Sequence, residues 1–175
     1  MKRIVLLLLC LLMLAGCEAK DSEPALSGAD PDESQAQSEE KLPPTVESIA
    51  GSIDGLLSNA ALLSPMEDDY LVYMMGLDLT RISEWTVRVQ TSGTEVDQYG
   101  IFLADGPEYA KTLSDALQKY LDTTRESWAD FNYLPEEMPK LEAAKVVSDG
   151  SYVFYVVASD KEQEACIKAF ENAVG

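Results

Sequence analysis

Leu14-Ala15-Gly16-Cys17 sets small residues and a thiol directly after an apolar run. That is the pattern at which a cysteine sulfur is alkylated with diacylglycerol and the preceding peptide bond is cut. Two acyl chains on one residue meet the requirement that stable anchoring takes two hydrophobic signals. Lipidation is thus the chemistry expected of Cys17. The other cysteines have different fates: Cys10 is discarded with the leader, and Cys166 is left alone, so the mature chain can form no intrachain disulfide. Cys166 falls on the inward stripe of the last predicted helix. Glu162 and Glu164 are near it in sequence and no cation is spaced to lower its pKa, so a buried, inert thiol is expected.

The remaining side chains exclude more chemistry than they suggest. The sequence contains no histidine, which removes imidazole-activated serine and cysteine nucleophiles and most zinc sites. No glycine-rich phosphate loop occurs. Glu67-Asp68-Asp69 are consecutive at a predicted helix start, where they complement the helix dipole; they lack the alternation and bend glycine of a calcium loop. Glu136-Glu137 falls in a predicted loop, solvated. A two-carboxylate hydrolase needs no local motif, but spacing singles out no pair of acids. Neither catalytic residue, metal ligand nor cofactor is therefore expected. The polar stretch that stands out runs from Arg88 to Asp97. It would gather Arg88, Thr91, Ser92, Gly93 and Thr94 at a hairpin tip able to bind a carboxylate or a carbohydrate. The alternative is a plain turn, with Glu95 or Asp97 pairing Arg88 across the hairpin.

Charge narrows the partners. The 175-residue chain carries −18, and removing residues 1–16 takes Lys2 and Arg3 but no acid, leaving −20. Such a field repels nucleic acid and anionic headgroups, so charged partners should be cationic peptides, cationic polymers or metal ions. It also serves solubility.

The elements that must position these groups follow from composition and period. Lys2 and Arg3 precede the eleven apolar residues 4–14, too short a run to span a bilayer: a signal peptide over 1–16. Residues 17–44 are acidic, proline-interrupted and poor in aliphatics, and read as a disordered tether behind the lipid. A single domain is expected over 45–175. Its 23 acids against nine bases give it −14. Val46, Ile49, Ala50, Ile53, Leu56 and Leu57 recur at helical spacing. Ser64-Pro65-Met66-Glu67 looks like a capping box opening a second short helix that ends at Gly76, with Tyr70, Leu71 and Met74 inward. Trp85, Val87 and Val89 then alternate with polar residues, and Val96 to Leu103 returns as the second arm of a hairpin. A long helix over 107–131 carries a stripe from Tyr109 to Trp128 and Phe131. After a loop with Pro135 and Pro139 come a strand over 145–148, an Asp149-Gly150 turn, and the strand Tyr152 to Ala158, apolar without alternation and so covered on both faces. A capping box at Ser159 opens the last helix. The fold class expected is α+β: a four-stranded antiparallel sheet built from two strand-strand-helix units, its two long helices on one face, preceded by two short N-terminal helices.

Leu63-Ser64-Pro65-Met66-Glu67-Asp68-Asp69-Tyr70, Thr91-Ser92-Gly93-Thr94-Glu95-Val96-Asp97, Ile101-Phe102 and the segment Ala144 to Val157 resemble an uncharacterised, domain-of-unknown-function family of lipoproteins from Gram-positive, clostridial-type bacteria. The resemblance implies an envelope location and one small domain, and supplies no activity. The expected function is that of a membrane-anchored extracytoplasmic lipoprotein, a non-enzymatic module binding a protein or cell-wall partner, with the membrane contacted through Cys17. A small-ligand-binding or transporter-accessory lipoprotein is the alternative, and a carboxylate hydrolase comes last. Oligomeric state and strand order are not legible in the sequence.

Overall fold

A computed structural model describes residues 42–175; the signal peptide, Cys17 and all but the last residues of the 17–44 tether lie outside the described residues. Helix α1 (Val46–Asp54) begins where the Thr45 hydroxyl accepts the Ser48 amide, and buries Val46, Ile49, Ala50 and Ile53. A 3-10 turn (Ala60–Leu62) leads into the short strand β1 (Leu63–Pro65). A π-helical turn (Tyr70–Met74) and a 3-10 turn (Leu79–Arg81) precede β2 (Ile82–Gln90) and β3 (Gln98–Ala104). Helix α2 (Pro107–Phe131) follows, then a 3-10 turn (Pro135–Glu137), α3 (Met138–Ala143), β4 (Lys145–Asp149), β5 (Tyr152–Val157) and α4 (Asp160–Val174).

The sheet is antiparallel throughout, in the order β1-β2-β3-β5-β4. It has five strands where the sequence suggested four. The additional strand is the stretch read as a capping box: Ser64 and Pro65 lie opposite Val89 and Arg88. Proline is tolerated because β1 is an edge. The neighbouring Met66 amide donates to the Val87 carbonyl at 2.9 Å, so the position of Pro65 faces away from the ladder. The two expected N-terminal helices therefore reduce to α1 and one widened turn. The two prolines taken for a loop sit instead in the first turns of the Pro135 3-10 turn and of α3, where a missing N–H costs nothing.

Helices cover both faces, and the two long ones lie on opposite sides rather than together. Leu113, Leu117 and Leu121 of α2 pack with Val87, Phe102, Val153 and Tyr155, joined by Leu71 and Met75 of the π-turn region. On the other face Ile49 and Ile53 of α1 and Cys166 and Phe170 of α4 pack with Tyr99, Ile101, Phe154 and Val156. The physical reason lies in the central strands. β5 is apolar on both sides and β3 nearly so, and each side needs a helix to exclude water. Gly100 lets the layers close: a Cβ there would stand 2.4 Å from the Tyr155 ring, which crosses the strand at that point. The Tyr155 hydroxyl donates to Gln98 Oε1 at 3.2 Å, and the Tyr120 hydroxyl to the same oxygen at 2.8 Å. The Tyr70 hydroxyl reaches Tyr120 at 2.7 Å, and burial pushes the Tyr120 and Tyr155 phenols well above their ordinary pKa.

Candidate functional site

Three places carry unusual chemistry, and the first is the hairpin tip marked out by the sequence. The structure separates its residues. Arg88 lies within β2 and turns to α1, where its guanidinium meets Asp54 at 2.9 Å and Glu47 at 3.8 Å. The Tyr99 hydroxyl donates to the same Asp54 carboxylate at 2.7 Å, which fastens α1 to the sheet; burial and that acid raise the phenol's pKa. Arg88 therefore pairs neither Glu95 nor Asp97. Thr91, Ser92, Gly93 and Thr94 form the tip, with Gly93 at φ 73°. Their hydroxyls serve the turn itself: Ser92 Oγ and Thr94 Oγ1 are 2.6 Å apart, and Thr91 Oγ1 lies 3.3 Å from Ser64 Oγ. The tip is fastened from outside by the Tyr133 hydroxyl, which donates to the Gly93 carbonyl at 2.6 Å.

The second place is a polar cluster beneath that hairpin. Asp97, 3% exposed, receives the Lys140 ammonium at 2.7 Å. Glu137 accepts the same ammonium at 2.9 Å and the Val96 amide at 3.1 Å. Far from being a solvated loop residue, Glu137 helps neutralise a buried charge. Burial lowers the Lys140 pKa, and the two carboxylates outweigh it, leaving the ammonium above its ordinary value. Hydrogen bonds from Gln90 and Asn59 hold Glu95 below the usual carboxylate range. A cleft of about 660 Å³ opens here between the Leu56–Asn59 loop, Lys140 and the first turn of α4. Burial there pushes Glu162 up, but donors from Ser159 and Ser58 prevail and bring it to about 2. The acids that line this cleft are already engaged. Cys166, nearby on α4, is a core residue whose thiol is pushed up to about 12 by burial, with Glu162 adding to the shift.

A family model described as a domain of unknown function, DUF4358, matches residues 58–158. The chain belongs to that family. No curated protein and no solved structure matches it. The DUF4358 match runs from the loop after α1 to the end of β5, so it holds the whole sheet, α2, the tip and Lys140 with its two acids. Helices α1 and α4, which cover the second face, lie outside it.

The third place lies within the DUF4358 match, and sequence reasoning missed it. Tyr73, Met74, Phe131 and Tyr133 are exposed, Phe131 by 82% and Tyr73 by 79%. Two causes put them there. The Met75 amide bonds back to the Tyr70 carbonyl, five residues away, so the turn is one residue wider than an α-helix. This inserted residue brings Met75 into the core and swings Met74 out, against the α-helical expectation. Separately, α2 is 25 residues long, about 37 Å at 1.5 Å per residue, and packs across β3, β5 and β4. Its buried leucines stop at Leu121; Trp128 is half-buried against the core, and Phe131 in the last turn is exposed. Between the turn and the helix runs a groove of about 540 Å³, from Tyr73–Gly76 to Ala116 and Trp128. A hollow of about 500 Å³ bounded by Trp128, Phe131 and Tyr133 continues it, with the Trp128 and Tyr133 rings 5.3 Å apart.

Among the described residues, no group of His, Cys, Asp or Glu is arranged to hold a metal ion, and no helix is long and apolar enough to cross a membrane.

Proposed function

We propose that the chain is a lipoprotein anchored through Cys17 at the extracytoplasmic face of the membrane, in an envelope of Gram-positive type. Its domain is a non-enzymatic interaction module that binds a protein. The observation carrying this reading is the aromatic and methionine surface over the π-helical turn and the end of α2. Apolar side chains gathered in the open beside a groove favour an interaction site over chance exposure, which scatters such residues singly. Aromatics and methionine are also the side chains enriched where proteins meet.

The alternatives have less to work with. A small-ligand protein would use the cleft beside Lys140, whose acids are engaged internally. A two-carboxylate hydrolase would draw on Asp97 and Glu137, which share one ammonium where a general acid must hold a proton.

Two experiments test the proposal. Cys17→Ser should move the protein from the membrane fraction to the medium; a variant that still fractionates with lipid refutes the anchor. Crosslinking in intact cells should capture a protein with the native chain and lose it with Tyr73→Ser plus Phe131→Ser. Capture unaffected by that pair places the interaction elsewhere.

A further inference from the structure

The sheet has two edges, and they are finished differently. β1 is three residues long and ends in Pro65, which has no amide to offer a further strand. β4 pairs with β5 over five residues in unbroken register, with neither proline nor bulge. Lys145, Ser148 and Asp149 are exposed, and Val146 and Val147 are half-buried. Among the described residues, nothing bonds to the outer side of this strand.

The register shows which backbone groups face outward. The Ala104 amide donates to the Ser151 carbonyl at 2.9 Å, so the odd-numbered residues of β5 turn toward β3 and the even-numbered ones toward β4. Opposite the even ones lie Lys145, Val147 and Asp149, which bond inward. The amides and carbonyls of Val146 and Ser148 therefore face out.

A strand that joins this edge must match that spacing, and β4 itself does. Turned about a two-fold axis at Val147, a second copy sets its Ser148 against Val146 and its Val146 against Ser148, closing both pairs of backbone bonds. Val147 meets its own counterpart at the close, non-hydrogen-bonded position, where β-branched side chains pack well. Lys145 falls opposite Asp149 at both ends. An axis at Val146 or at Ser148 also suits the backbone, but sets Lys145 or Asp149 against Val147, so the charges choose Val147. Neither charge is used at home. Lys145 borders a hollow with Asp160 and Glu164 but pairs with neither, and Asp149 forms no ion pair among the described residues. A lysine on an edge ordinarily discourages pairing; an acid four residues on removes that protection against an antiparallel copy. The domain's −14 opposes association, but beyond about 8 Å it is screened at physiological salt.

We propose that the chain pairs with a second copy of itself through β4, joining two five-stranded sheets into one. This contact is separate from the aromatic groove and does not rest on the reading of that groove.

The test is disulfide trapping of the full chain in intact cells, in a Cys166→Ala background, read by non-reducing electrophoresis. The background chain is the blank. Val147→Cys sets two sulfurs across the axis on Cα atoms about 4.5 Å apart, and should give a dimer band that reductant removes. Lys145→Cys is more exposed but stands about 13 Å along the strand from its counterpart, and should give at least about fivefold less dimer. Within the Val147→Cys chain, Lys145→Glu should lower the yield about threefold or more, and Lys145→Asp with Asp149→Lys should restore it. Ser148→Pro deletes an outward amide without breaking a bond inside the domain. It should abolish the dimer with the circular dichroism spectrum of the purified chain unchanged. No dimer from Val147→Cys, equal trapping from Lys145→Cys, indifference to Lys145→Glu, or failure of the charge exchange to restore the yield overturns the proposal. A reductant-sensitive band joining Val147→Cys to a different protein also overturns it, and gives the edge to an extended segment of that protein.

Discussion

The hairpin tip and the apolar groove sit at neighbouring ends of one domain, linked by Tyr133, and they differ in what they leave unused. Ser92, Thr94 and Thr91 spend their hydroxyls on each other and on Ser64, and the acids below are matched by Lys140. The groove is the opposite case: Tyr73, Met74 and Phe131 bring large apolar side chains into water with nothing over them among the described residues. A polar group in a folded chain has already found a partner more often than it awaits one. Uncovered apolar surface is the better sign of a missing partner, because leaving it wet costs about 25 cal/mol per Å².

The contrast breaks most visibly at Lys140. If the polar cluster is structural, Lys140→Met leaves the Asp97 charge buried and should destabilise the domain by about 3 kcal/mol in urea denaturation. A neutral outcome would mean that the cluster is held for some other purpose. A smaller effect is expected at Glu162. Its carboxylate is ordinarily protonated below 4.5 and here only below about 2, so it contributes stability above pH 4.5 that is lost as pH falls through about 2. Glu162→Gln should cost about 1 kcal/mol at neutral pH and flatten the stability profile across that window.

The link between the regions gives the third measurement. Tyr133→Phe removes the hydroxyl that holds Gly93 and should cost about 0.5–1 kcal/mol, with faster amide exchange at Ser92 and Thr94. The smallest stability change belongs to the groove. Phe131→Ser should leave the unfolding free energy within about 0.5 kcal/mol of the native chain while partner capture is lost. If Phe131→Ser unfolds the domain instead, the groove is core and the comparison collapses.

Much of the fold was legible because it depends on period and turn chemistry. Helix α2 keeps the bounds expected from its stripe, β5 is covered on both faces as its unbroken apolar run demanded, and Gly150 takes the left-handed conformation of the Asp149-Gly150 turn. The misreadings arose where two local signals compete. Ser64-Pro65-Met66-Glu67 is chemically a good capping box, but pairing of Leu63–Pro65 with β2 takes the first two of those residues into the sheet. At Met74 and Met75, one inserted residue exchanged inside for outside, and periodicity at 3.6 residues cannot register a π-turn. Phe131 was misplaced because a stripe records only which side of a helix is apolar. How far the opposing layer reaches is set elsewhere in the chain, so the exposure of the last turn of α2 appears only in the structure.

The opposite placement of α1 and α2 also has a mechanical meaning. The described chain enters at Pro44, whose carbonyl accepts the Tyr152 hydroxyl at 2.6 Å, and the next bonds run from Val46 to Glu84 and from Arg88 to Asp54. A pull on this end passes into β5 and β2 through one face of the sheet. A pull from a partner seated over Tyr73 and Phe131 enters through the other. If the chain is held through Cys17 and a partner sits over Tyr73 and Phe131, as proposed, the load between them crosses the packed thickness of the domain.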